Sequence, residues 1–306
     1  MTPTASVIVP TYYRNDALED ALESVHQQTL PQSEIEIIVV DGSEDDQNGR
    51  SIAEQYGADY YCPTDDPGLA GCRDIGIEAA MGDYIRLLDD DDMLIEDAIE
   101  SQIDLSKSKD CGVVYGGIEW ENGHQVLPDT AIKGDVLRYA LSFQMAPCIP
   151  STLLVERSCF EEMPLLESLP SDDHGMMIEL AKVADFDFIA DVVIKRGGGD
   201  EGLGSASRTV KNRLSTIESY ESLYEEYPET KRKALGYTNL LAAQSELNDE
   251  KWSKSAIFDA WRAFYYYPTL ETGGFALASI GGRPLRDFAR RVYMSFQSDN
   301  HRGKIA

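Results

Sequence analysis

Residues 82–92 read Gly82-Asp-Tyr-Ile-Arg-Leu-Leu-Asp-Asp-Asp-Asp92. An apolar stretch of strand length passes without a break into four consecutive carboxylates. The C-terminal end of a strand is where open α/β sheets bind ligands. Four adjacent acids repel one another, and a divalent cation is their natural neutraliser. Hard carboxylate oxygens suit Mg²⁺ or Mn²⁺, which complete their shells with water and substrate phosphates. An acidic chain also puts such runs in solvated loops, but the apolar strand directly before this one favours a functional role.

On either side of this stretch, strand and helix alternate. Val7-Ile-Val9 reads as a buried strand, with Asn15 as the N-cap of a helix carrying Leu18, Leu22 and Val25 at i, i+4, i+7 spacing. Ile35 to Val40 is a second strand, Ile52, Ala53 and Tyr56 lie on a second helix, and Asp59 to Cys62 is a third strand stopped by Pro63. A third helix with Leu69, Cys72, Gly76 and Ala79 on one face leads back to residues 83–88. Repeated βα units call for a largely parallel sheet covered on both faces. Beyond Gly112 the pattern loosens, with strands expected at Val113–Tyr115 and Ser151–Val155. The Gly/Asp-rich run from Gly197 to Gly204 marks a boundary. After it, Leu214, Ile217, Tyr220 and Tyr224, then Leu240, Ala243 and Leu247, then Ala256, Ala260, Phe264 and Tyr267 follow helical spacings. The expected organisation is an α/β domain over 1–204 and an α-helical appendage over 205–306.

Composition removes several classes. The 306 residues hold 27 Lys or Arg against 54 Asp or Glu, a net charge of -27, which excludes an electrostatic nucleic-acid binder. That surplus raises solubility and self-repulsion and points to a source that lives in concentrated salt. Five cysteines (Cys62, Cys72, Cys111, Cys148, Cys159), widely spaced and without a C-x-x-C pair, argue for reduced core residues rather than disulfides or structural zinc. No apolar run approaches the ~20 residues of a membrane-spanning helix. The N-terminus lacks a basic n-region, so a cytoplasmic protein is expected.

Four segments occur in order: Val7-Ile-Val-Pro-Thr-Tyr-Tyr-Arg14, Val39-Val-Asp-Gly-Ser-Glu-Asp45, Gly68-Leu-Ala-Gly-Cys-Arg-Asp-Ile-Gly76 and the quoted run ending at Asp92. Together they resemble the motifs of a family 2 glycosyltransferase of GT-A fold, over roughly residues 4 to 200. The resemblance implies a nucleotide-diphosphate sugar donor and a Mn²⁺ or Mg²⁺ cofactor. It implies that Pro10, Thr11 and Tyr12 lie against the base and ribose, that Asp41 hydrogen-bonds the base, and that Arg73 lies beside the nucleotide. Asp89 and Asp91 match the two acids of the D-x-D motif. Asp91 is the implied metal ligand, with Asp89 and Asp90 near the ribose or the metal's water shell and Asp92 an extra acid. Tyr13 and Asp74 depart from the family pattern, each standing where Asn is usual. Asp74 would add negative charge near a phosphate site.

Pro170-Ser-Asp-Asp-His-Gly-Met-Met-Ile-Glu-Leu-Ala181 is by itself a helix start, its acids complementing the helix dipole. In this context it is similar to the family's E-D motif. The resemblance makes Asp173 the general base that takes the acceptor hydroxyl proton in an inverting displacement, with Asp172 at the Glu position. His174 reads as structural. The implied acceptor is a glycan or a polyprenyl- or dolichyl-phosphate-linked sugar, in protein N-glycosylation or surface polysaccharide assembly.

Other signals weigh less. Gly197-Gly-Gly-Asp-Glu-Gly202 satisfies G-x-G-x-x-G but comes after the βα units and carries acids where a pyrophosphate would sit, so a closing loop or a linker fits it better. There is no G-x-x-x-x-G-K-[ST] P-loop, and the Asp41–Gly49 run lacks the sixth-position Gly of a calcium loop. Leu285, Phe288, Ala289, Val292, Tyr293 and Phe296 share one helical face bordered by Arg283, Arg286, Arg290 and Arg291. That face either docks on the catalytic domain or contacts a membrane peripherally. The alternatives are a sugar-phosphate nucleotidyltransferase, which lacks its basic Gly-rich loop here, and a non-catalytic nucleotide-sugar-binding scaffold.

Overall fold

The computed structural model describes residues 2–43, 47–170, 172–197, 206–285 and 287. The chain forms two compact units, Met1–Ala140 with Gln144–Asp200, and Leu141–Phe143 with Glu201–Ala306.

The first unit runs β1 (Ala5–Thr11), α1 (Asn15–His26), β2 (Ile35–Asp41), α2 (Gln47–Gln55), β3 (Asp59–Tyr61), α3 (Gly68–Ala79), β4 (Tyr84–Leu87) and β5 (Asp92–Leu94). It continues through α4 (Ala98–Lys109), β6 (Val113–Trp120), β7 (Gln125–Val126), α5 (Leu137–Leu141), β8 (Leu154–Glu156), α6 (Arg157–Glu161), α7 (Asp172–Val183) and β9 (Phe186–Arg196). One sheet has the order β3-β2-β1-β4-β8-β6-β9-β5, with β7 beside β6. Every residue of β1 is buried because helices cover both faces. Ala5, Val7 and Val9 share a core with Leu18, Ala21, Leu22 and Val25 of α1. Ile8 points the other way, toward α3, where a Cβ on Gly76 would stand 2.3 Å from its Cγ2.

The expected parallel sheet holds for β3, β2, β1 and β4. Beyond β4 the sheet is mixed: β8 runs antiparallel to β4 and β6, β5 antiparallel to β9, and β6 parallel to β9. Only residues 88–91 separate β4 from β5, too few for a crossover to a parallel neighbour, and β5 pairs with β9 at the end of the sheet. The expected strand at Ser151–Val155 starts later. Pro150–Thr152 forms a 3-10 turn that Thr152 closes by accepting the Ile149 N–H, and the strand is Leu154–Glu156. All five cysteines are free thiols, Cys62 half-buried and the others buried.

The second unit holds α8 (Ala206–Ser219), α9 (Glu221–Glu226), α10 (Pro228–Asp249), α11 (Lys254–Tyr266) and α12 (Leu270–Ser279). One cluster of its core joins Ala243, Ala260 and Ala276, with Phe264 and Phe275 packed against them. Ser253 and Thr269 accept hydrogen bonds from Ala256 N–H and Thr272 N–H at the starts of α11 and α12. Among the described residues no helix is long and apolar enough to cross a membrane. Of the expected basic tail helix, Arg283 caps α10 through the Leu247 and Asn248 carbonyls. Arg286, Phe288 to Arg291, Val292, Tyr293 and Phe296 lie outside the described residues.

Candidate active site

The site lies where the parallel strands end. Thr11 closes β1 opposite Asp41, which closes β2. β4, on the other side of β1, delivers Leu88 and the acid run. Asp41 is buried, and its carboxylate accepts Ser43 N–H at 2.9 Å and the Tyr60 hydroxyl at 2.8 Å. A Cβ on Gly49 would stand 2.4 Å from Asp41 Oδ2, so glycine leaves the room this carboxylate occupies. Pro10 is buried in β1, whereas Tyr12 is 52 % exposed and meets Tyr13 edge-on at 4.8 Å. Tyr13 adopts φ 54°, a left-handed conformation that turns the chain into α1.

Each of the four acids has its own environment. Asp89 accepts Arg73 Nη2 at 2.7 Å, and the Asp89 N–H donates to Ser151 Oγ. Arg73 comes from α3, is 1 % exposed, and donates from Nη1 to Asp173 Oδ1 at 3.3 Å. One buried guanidinium therefore ties the first acid of the run to Asp173 at the start of α7. Asp90 is buried, accepting Thr11 Oγ1 at 2.8 Å and Arg14 Nη1 at 3.1 Å. Burial pushes its carboxyl up, opposed by Thr11 and Arg14. Asp91 accepts Arg14 Nη1 at 2.9 Å. Asp92 is fully buried and pushed up to about 7 by burial and by the charge of Asp89, with Arg196 Nε 3.8 Å away in partial compensation.

Behind the run, Arg86 is also fully buried. Burial brings it down to about 9 against the pull of Asp92, and it donates to Gln102. Gln102 in turn donates to the Val114 and Thr152 carbonyls. On the other side, Gly197 N–H donates to the Asp91 carbonyl at 2.8 Å, and a Cβ on Gly197 would stand 2.2 Å from that oxygen.

Asp89, Asp91 and Asp92 each offer a carboxylate oxygen within 4.8 Å of the others. Neither Asp92 oxygen has a well-formed hydrogen bond among the described residues, with only the Ser151 hydroxyl and Arg196 close enough to favour its charge. Three oxygen donors converging around a buried carboxylate fit a hard divalent cation.

The structure thus brings Thr11, Asp41, Asp89, Asp90, Asp91, Arg73 and Asp173 to one end of the sheet, with Tyr12 beside Thr11. The side chain of Asp172 and residues Gly198 to Gly202 lie outside the described residues. The Asp74 carboxylate accepts the Leu166 and Glu167 N–H groups at 2.9 Å each and caps the turn over Leu166–Ser168, so its charge is held by that turn. Asn15, expected as the cap of α1, is its first residue. Arg14 stands in the cap position, and its side chain reaches Asp90 and Asp91. Sequence reading missed Arg14, Arg196 and the Gly197 contact. Arg14 does follow the first-strand turn directly, but only the approach of β4 to β1 gives it acids to meet.

The family description "Glycosyl transferase family 2" matches residues 6–162. An "Uncharacterized glycosyltransferase" of Rickettsia bellii is 32% identical over 204 residues, covering 63% of this chain and 29% of that protein. The chain thus spans less than a third of that relative's length. Staphylococcus aureus TarS residues 1–349, solved in complex with UDP-GlcNAc, is similar at TM-score 0.54 and 16% identity, over 94% of this chain and 92% of that one. The mannosyltransferase PcManGT of Pyrobaculum calidifontis, in complex with GDP-Man and Mn²⁺, is similar at TM-score 0.59 and 19% identity, over 95% and 84%. At these identities the likeness shows the fold, which is GT-A with added C-terminal helices.

Proposed function

The chain belongs to glycosyl transferase family 2, and we propose that it moves a sugar, with inversion, from a nucleotide-diphosphate donor to a glycan or lipid-linked acceptor. The observation that carries this is the Arg73 bridge: a buried cation holds the D-x-D acid Asp89 and the exposed carboxylate Asp173 in one place. The donor class is supported by the two solved neighbours, one with UDP-GlcNAc and one with GDP-Man.

In this reading Pro10, Thr11, Tyr12 and Asp41 hold the base and ribose, and Arg73, Asp89 and Asp90 line the donor. Asp91, with Asp89 and Asp92 beside it, would hold Mn²⁺ or Mg²⁺. Such a cation supplies positive charge for a diphosphate leaving group. Asp173, about half exposed, takes the proton of the acceptor hydroxyl, a contribution of about 10²–10⁴ in rate. Were the acceptor a lipid phosphate, already ionised, Asp173 would have less to do. The catalytic domain is proposed as 1–204, with 205–306 an accessory region. We place the enzyme in the cytoplasm or peripherally on the membrane, in N-glycan or surface-polysaccharide assembly.

The test incubates UDP-, GDP- and dTDP-sugars with the protein, with and without Mn²⁺, and follows donor binding and nucleotide diphosphate release. One donor should bind and turn over with metal, Asp91→Ala should lose both, and Asp173→Asn should keep binding while losing turnover. Absence of binding by any donor to folded, metal-supplied protein would overturn the proposal in favour of a non-catalytic scaffold.

A further inference from the structure

Helix α11 carries a stripe that the packing of its own unit leaves uncovered. Its buried side is Ala256, Ala260 and Ala263, against α10 and α12. On the opposite side Phe258, Trp261 and Tyr265 are 63, 41 and 73 % exposed. By helical periodicity Lys254, Phe258, Trp261 and Tyr265 fall within roughly 60° of arc. Arg262 borders the stripe, its guanidinium 5.6 Å from the centre of the Phe258 ring. The sole acid of this helix, Asp259, lies on its flank, half-buried. The next helix, α12, leaves Leu270 and Leu277 94 and 61 % exposed, and Glu271 is its one charged residue.

Surface helices of water-soluble domains turn polar residues outward. A stripe of aromatics flanked by long cations is instead the residue set of a bilayer interface, where rings sit at headgroup level and Lys and Arg reach to phosphates. Charge distribution selects the kind of bilayer. Residues 1–250 hold 18 basic and 50 acidic side chains, whereas residues 251–285, which include the stripe, hold four basic and two acidic. An anionic surface repels the first stretch and attracts the second. A second copy of the chain is a poorer fit, because a two-fold contact through this stripe sets Lys254 and Arg262 near their own counterparts.

We propose that the exposed face of α11, Phe258, Trp261 and Tyr265 with Lys254 and Arg262, docks on an anionic lipid bilayer. The proposal rests neither on the transferase reading nor on the Arg-rich segment beyond Arg283. Its test sediments the full chain with vesicles of phosphatidylcholine alone or mixed equally with phosphatidylglycerol. The wild type should partition into the anionic vesicles about thirtyfold more strongly, the effect expected of two surface cations. The triple variant Phe258→Ser, Trp261→Ser, Tyr265→Ser should lose that partitioning while keeping its circular-dichroism melt and its donor binding in solution. Brominated lipid should quench tryptophan emission of the wild type, and Trp261→Phe should remove that quenching. Three results each overturn the proposal: no partitioning of the wild type, a triple variant that binds like wild type, or a mass in solution that doubles through the stripe by light scattering.

Discussion

Arg73 is the side chain on which the candidate site turns. A planar guanidinium satisfies two carboxylates from different elements at once, which a lysine ammonium at the end of a flexible stem does not reproduce. Arg73→Lys should therefore release either Asp89 or Asp173 and cost about 1.5–3 kcal/mol in urea unfolding, most of it from Asp89, since Asp173 is half in solvent. Arg14 acts in the opposite sense. Desolvation lowers its affinity for a proton, but the charges of Asp90 and Asp91 outweigh this and hold it firmly charged. Arg14→Ala leaves four acids without that cation, so Mn²⁺ binding in the absence of nucleotide should tighten. A weaker Mn²⁺ affinity in titration would show that Arg14 orients Asp91 rather than competing for it.

At the scale of elements, two glycines make opposite predictions. Gly76→Ala adds a Cβ 2.3 Å from Ile8 Cγ2 between α3 and β1 and should destabilise the protein by about 1–3 kcal/mol, net of a better helix propensity. Gly274 in α12 has open space around it, so Gly274→Ala should gain about 0.5–1 kcal/mol. Denaturant midpoints of both variants decide the pair. The thiols report the same packing. Burial pushes Cys72, Cys111 and Cys159 up to about 11 and Cys148 higher still. At pH 8 a thiol of pKa 11 is only about one part in a thousand thiolate. Iodoacetamide on the native protein should thus label Cys62 first, Cys72, Cys111 and Cys159 should gain reactivity as pH climbs toward 11, and Cys148 should stay unlabelled longest. Fast labelling of Cys72 at pH 8, seen by mass spectrometry, would contradict the burial of α3.

For the whole molecule, a net charge of -27 makes self-repulsion part of the stability. Raising NaCl from about 0.1 M shortens the Debye length from about 10 Å and should raise the urea midpoint. Sucrose at matched water activity controls for preferential exclusion. A midpoint indifferent to salt would remove the support for a source adapted to concentrated salt.

The sequence by itself determined the βα units, the position of the acid run at a strand end, the helical C-terminal third and the reduced cysteines. These follow from local periodicity, from breakers such as Pro63, and from composition, all properties of neighbours along the chain. Tertiary structure alone decided the surroundings of each acid. Asp90 accepts the Thr11 hydroxyl and pairs with Arg14, Asp92 is buried beside Arg196, and Asp74 caps the turn at Leu166 and Glu167. Four identical side chains in a row look alike in sequence. Their differences come from strands and helices that meet only after folding, and electrostatics at a site depend on those distances rather than on the order of residues.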